Sequence, residues 1–317
     1  MNRSHNFFSW LAVLLALSLA ACSVSGEAIP LSRGSVPQIV VEVYPVVDKN
    51  MDTPDHFEFN QRMDRKVKEK RAVWRNPDKS SIADLTNRVL NRYGYNLEPA
   101  SSSVEGFYQL NRGQELVLRE IVRFFRLQEN TTETDFLLLL EQSRGGLFTL
   151  RKNGLAEWKT RSYLYTFPAL AGDRLVTAYE SAGGVVVEAD GKQVYTQPVR
   201  SSGVDSAIKG VWSWQDGWVL ETRGQVITEG KNLNKQLGCD EIFQFNLIAG
   251  QPAFFCRKKT QTYLVYAGRF QEPAFDEVIH YRCCEPAAFN PGSNSTMVWF
   301  YALIGNTWNY VEAGVYE

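Results

Sequence analysis

Few side chains in this sequence are equipped for chemistry. Beyond residue 22 there are four cysteines, Cys239, Cys256, Cys283 and Cys284, and beyond residue 5 only two histidines, His56 and His280. A Ser-His-Asp or Cys-His catalyst would have to recruit one of those histidines, and neither lies in a nucleophile-elbow sequence. Ser206 and Lys209 have an S-x-x-K spacing, but no K-T-G follows, so acyl transfer is set aside. The chain has no phosphate-cradling P-loop and no H-E-x-x-H zinc helix. Asp276 and Glu277 are adjacent carboxylates, and on a strand neighbours face opposite sides, a poor arrangement for paired acid and base.

Two clusters remain. His280, Cys283, Cys284 and Glu285 could offer imidazole, thiolate and carboxylate to a soft metal, but the spacing fits no standard zinc pattern. No metal and no other cofactor is therefore expected. Cys283 bonded to Cys284 would be a strained and labile link, since adjacent Cα atoms are about 3.8 Å apart. Trp212, Trp214 and Trp218 form the other cluster. On a strand Trp212 and Trp214 share a face, where a sugar ring or peptide side chain could stack; packing between neighbouring sheets is the alternative use. The ligand-binding candidates are thus Trp212, Trp214, Trp218, His280 and Glu285.

The N-terminus carries an address. Arg3 precedes a short apolar run, residues 10–19, too short to span a bilayer. Leu19-Ala20-Ala21-Cys22 follows at once and resembles the bacterial lipobox. The resemblance implies cleavage of residues 1–21, lipidation of Cys22 with more than one acyl chain, and stable attachment to a membrane. Ser23 resembles the outer-membrane sorting pattern of two-membrane bacteria; in a single-membrane host the anchor would face outward.

Residues 22–38, rich in Ser, Gly and Pro, read as a flexible tether. Residues 39–94 read as an N-terminal segment holding a strand and one short helix. Residues 62–75 are basic and would suit anionic headgroups or simply a solvated face. Ser81 to Asp84 resembles a capping box, with Ile82, Leu85 and Val89 at helical spacing and Gly94 as the stop.

From residue 95 to 317 the period changes to short strands. Apolar runs precede Gly113, Gly154, Gly191, Gly230, Gly268 and Gly314, a recurrence of about forty residues. A second series, Gly172, Gly217, Gly250 and Gly292, lies within the later units. Such units predict a mainly β fold, a β-propeller of about five to six blades with one short N-terminal helix. Phe289-Asn-Pro-Gly292 followed by Met297-Val-Trp-Phe-Tyr-Ala is similar to the turn of TolB-like β-propeller repeats. That resemblance implies architecture more than activity. The last unit is short of an outer strand, which residues 39–44 are expected to supply.

Outside the cytoplasm the four cysteines suggest two disulfides. Cys239 precedes Gly250, and Cys283 precedes Gly292, by similar distances, so a staple between adjacent blades through Cys239 and Cys283 is expected. The chain has a 44% hydrophobic composition and a net charge of −1, which excludes a disordered chain and disfavours a nucleic-acid binder. Three functions stay open: a membrane-anchored extracytoplasmic binder of a protein, peptide or glycan; a glycan hydrolase using carboxylates in the propeller funnel; and a purely structural envelope protein.

Overall fold

The computed structural model describes residues 36–48, 82–100, 106–159, 166–203, 205–283, 287 and 289–315. Cys22, the tether up to residue 35, His56, the basic stretch, Cys284 and Glu285 lie outside the described residues. Five antiparallel sheets follow one another along the chain.

The first sheet holds six strands in sequence order: β2 (Tyr95–Pro99), β3 (Tyr108–Arg112), β4 (Glu115–Glu129), β5 (Phe136–Gln142), β6 (Leu147–Arg151) and β7 (Gly154–Glu157). The second runs β8 (Ala169–Ala171), β9 (Arg174–Ser181), β10 (Gly184–Ala189) and β11 (Lys192–Gln197). The third runs β12 (Ile208–Trp214), β13 (Gly217–Thr222), β14 (Gln225–Thr228) and β15 (Lys231–Asn232). The fourth runs β16 (Glu241–Ile248), β17 (Gln251–Lys258), β18 (Gln261–Tyr266) and β19 (Arg269–Phe270). In the fifth, β20 (Glu277–Val278), β22 (Met297–Ile304) and β23 (Thr307–Val315) are completed by β1 (Ile39–Asp48), while β21 (Gly292–Ser293) pairs β22.

The strand from the N-terminal segment pairs antiparallel with β23, from Ile39 opposite Val315 to Asp48 opposite Thr307. It covers an edge of the fifth sheet that would otherwise expose a row of unpaired backbone groups. One core cluster joins the fourth and fifth sheets through Phe243, Phe255, Leu264, Val298, Phe300 and Val311. Another joins the second and third through Val185, Val187, Val211 and Leu220. A third joins the third and fourth through Val219, Val226, Phe245 and Phe254. Most of the buried apolar surface thus lies between neighbouring sheets, while α1 (Ile82–Leu90) covers one side of the first. Among the described residues no hydrophobic cluster links the fifth sheet back to the first, so the array is stacked but not closed by such a seam.

The periodic glycines map onto this order. Gly154, Gly191, Gly230 and Gly268 stand at the turn into the outermost strand of the first four sheets. At Gly230 and Gly268 φ is +79° and +78°, a conformation that favours a residue without Cβ. Gly113 instead turns β3 into β4, an added hairpin of the first sheet, and Gly314 lies inside β23. Six glycines therefore mark five sheets.

The expected helix forms as α1 (Ile82–Leu90), followed by a 3-10 turn (Asn91–Tyr93) and Gly94 in the left-handed region. Its buried side is rotated from the one the spacing suggested: Val89 packs on the core of the first sheet, but Leu85 is exposed, whereas Thr86 and Leu90 are buried. Asn87 explains the choice, because its side-chain amide donates to the Leu97 carbonyl (2.8 Å) and its oxygen accepts from Leu97 N–H (2.7 Å). The helix is thereby fixed against β2. A second short helix, α2 (Leu233–Leu237), was not expected; Asn232 caps it by accepting from Lys235 N–H at 3.0 Å.

The inter-blade staple does not form. Cys239 bonds Cys256, within one sheet, with the Cα atoms 5.6 Å apart. Gly238, left-handed at the end of α2, turns the chain so that Cys239 meets β17. Cys283 lies exposed in the irregular segment after β20, so the similar glycine spacings did not mark equivalent places. The loop closed spans 17 residues. The Cys239→Ser/Cys256→Ser double variant is expected to lose about 3 kcal/mol in urea unfolding, as is the reduced wild type.

Candidate functional site

Where the third, fourth and fifth sheets meet, eight polar side chains converge. Asp205 and Lys209 come from the start of β12, Glu221 from the end of β13 and Arg223 from the turn after it. Glu241 opens β16, Arg257 lies near the end of β17, and His280 and Tyr281 follow β20.

Glu221 is the centre of this joint and is 2% exposed. Its carboxylate accepts from Gln244 N–H and Phe245 N–H, both at 2.8 Å, and from the Tyr281 hydroxyl at 2.7 Å. The two amides lie in β16 where its pairing with β17 shifts register, so they need an acceptor that the ladder does not supply. One side chain thus ties three sheets. Burial raises the Glu221 pKa, against the three hydrogen bonds and Lys209, which lower it. The Tyr281 hydroxyl is raised in turn, by its own burial first and then by the neighbouring Glu221 carboxylate.

Lys209 lies over the Tyr281 ring, 4.4 Å from its centre, and pairs with Asp205 at 2.5 Å. Arg223 reaches the same Asp205 at 2.6 Å. Glu241 pairs with Arg257 at 2.9 Å and with His280 Nε2 at 3.3 Å. The His280 contact is the chief reason the Glu241 pKa is lowered. His280 stacks on Phe243 with ring centres 3.6 Å apart, and its Nδ1 lies 2.7 Å from the Val278 carbonyl. His280 therefore docks the fifth sheet onto the fourth.

The tryptophans do not assemble into one platform. Trp212 and Trp214 share a face, as expected, but it is the face packed between the third and fourth sheets, with Trp212 5.3 Å from Phe245. Trp218 points to the other side, buried between the second and third sheets, 5.7 Å from Tyr195. Among the described residues no group of three or more His, Cys, Asp or Glu side chains is placed to hold a metal.

Glu221 escaped the sequence reading, although a signal was there. Glu180 and Glu221 are each the penultimate residue of their sheet's second strand, Glu141 holds the same place in β5, the fourth strand of the longer first sheet, and the three recur at the forty-residue period. Glu180 accepts from Ser201 N–H at 3.0 Å, ahead of the third sheet, much as Glu221 serves the fourth. Arg257 occupies the corresponding place in β17.

Glu221→Gln places an amide NH2 where an N–H already points, and is expected to cost about 1–3 kcal/mol. Because the folded pKa is raised, the carboxyl's contribution is full below its unfolded value and lost as pH rises through the folded one. The stability gap between wild type and variant should therefore shrink from pH 4 upward, read by urea midpoints across pH.

No protein-family model matches the chain, and no curated protein matches its sequence. Solved structures similar in fold include TolB from Acinetobacter baumannii, at 10% identity and TM-score 0.33, covering 65% of this chain and 59% of that one. The Dos1 propeller gives 7% identity and TM-score 0.29, covering 65% and 63%. Apo AztD from Citrobacter koseri gives 8% identity and TM-score 0.28, covering 67% and 72%. The chain spans about three fifths of the first two proteins' own length. Nothing about activity follows from likeness at this level. The sheet order and the completing strand make the chain a mainly β protein of propeller type.

Proposed function

We propose that this chain is a lipid-anchored, extracytoplasmic binding or scaffold protein for a protein, peptide or glycan. The observation that carries the non-catalytic part is the state of the carboxylates at the three-sheet joint. Glu221 accepts three hydrogen bonds and Glu241 is paired by Arg257 and His280, so both serve as struts. A glycosidase needs one carboxyl free to give a proton and another free to attack or to activate water. Trp212, Trp214 and Trp218 likewise spend their rings between sheets.

Support for the address comes from two sources. The lipobox-like Leu19–Cys22 stretch follows an apolar run of signal-peptide length. The buried Cys239–Cys256 disulfide suits an oxidising compartment. With more than one acyl chain on Cys22, attachment would be stable where a single chain is marginal.

Expressed with its own leader in a bacterium, the wild type is expected in the membrane fraction and Cys22→Ala outside it. Retention of Cys22→Ala in the membrane would remove the anchor. Turnover of an envelope glycan by the purified protein, lost in Glu241→Ala, would replace binding with hydrolysis.

A further inference from the structure

β4 lies beside β8, and β8 beside β12, and β4 sends a charge toward both. Arg126 occupies the irregular point of β4 between Phe125, opposite Leu139, and Gln128, opposite Leu137. Its φ is +57°, a left-handed conformation that is costly for a long side chain and that glycine would adopt freely. A bulge of this kind re-aims a side chain, and here it carries a long cationic one toward two other sheets.

The guanidinium reaches beyond its own sheet. Nη1 donates to the Phe167 carbonyl at 3.0 Å, just ahead of β8, and Nη2 donates to the Val211 carbonyl in β12. Two residues on, Gln128 accepts from Leu170 N–H at 2.9 Å, again at β8. The bulge segment thus satisfies inner backbone groups of the second and third sheets. For Gln128 a neutral amide is enough.

Arg126 offers more than that task needs. Of its five N–H donors, two meet acceptors, and both acceptors are uncharged. No carboxylate among the described residues pairs with it. Burial alone brings its pKa down to about 10, so it stays charged at neutral pH without an anion to offset the lost hydration.

We propose that Arg126, which is only partly buried, holds an oxyanion, a carboxylate or phosphate group of a ligand, through its remaining N–H donors beside β8 and β12. This site is separate from the Glu221 joint and does not depend on the lipid anchor.

The test uses the full chain in detergent, with thermal unfolding followed as chloride is exchanged for acetate or inorganic phosphate at constant ionic strength. A bound anion raises Tm along a saturating curve, whereas exclusion of a salt from the surface acts linearly. The expected result is saturation at millimolar anion, lost in Arg126→Gln, which keeps a donor but no charge. Arg126→Lys, a charge without the fork, is expected to need about tenfold more anion, and serves if the glutamine variant does not fold. Saturation by acetate alone points to a carboxylate ligand, and by phosphate alone to a phosphate. A wild-type curve that is linear or the same for all anions overturns the proposal. So does a saturating response left unchanged by both variants.

Discussion

A sheet of four short strands with two apolar faces buries neither by itself, and that shortage organises the whole molecule. Val185 and Val187 of the second sheet meet Val211 and Leu220 of the third, and the next cluster passes the obligation on to the fourth. At about 25 cal/mol per Å² of apolar surface, the gain appears only when adjacent sheets are both present. Polar groups are then left stranded at the seams, where ladders end or bulge. Glu221, Glu180, Arg126 and Gln128 answer that problem in the same way, each completing hydrogen bonds of backbone outside its own sheet.

Much of the fold was legible because its signals are local. Glycines at turns recur with the strands they separate, and the shortage of an outer strand in the last unit followed from counting. The apolar spacing placed α1, and Gly94 ends the 3-10 turn that follows it, yet the buried face was read only in part. That face is set by Asn87 gripping Leu97, a contact with a strand that the helical spacing of apolar residues does not contain. The cysteine pairing failed for a similar reason. Cys239 and Cys283 looked equivalent by their distance from glycines, but α2 intrudes ahead of the fourth sheet and turns Cys239 back onto β17.

The site was harder to read than the fold. His280 drew notice as a scarce residue, but its partners, Phe243 and Glu241, are nearly forty residues away, in another sheet. Glutamates are common, and a spacing of about forty residues between three of them has no meaning until the strands are known. What distinguishes Glu221 is burial beneath three donors, a property of tertiary packing. The tryptophans show the reverse: a conspicuous local cluster whose members the pleat sends to opposite sides of one sheet.

Ile39 finds its partner in Val315, at the other extreme of the described chain. A polypeptide emerging from a ribosome or a translocon delivers β1 early and must wait some 270 residues for β23. Closing so long a loop has an entropic cost that no local contact offsets in the interim, and contacts this distant slow folding. The edge that β1 covers can accordingly be completed only once β23 is available, so until then β1 has no strand to pair with.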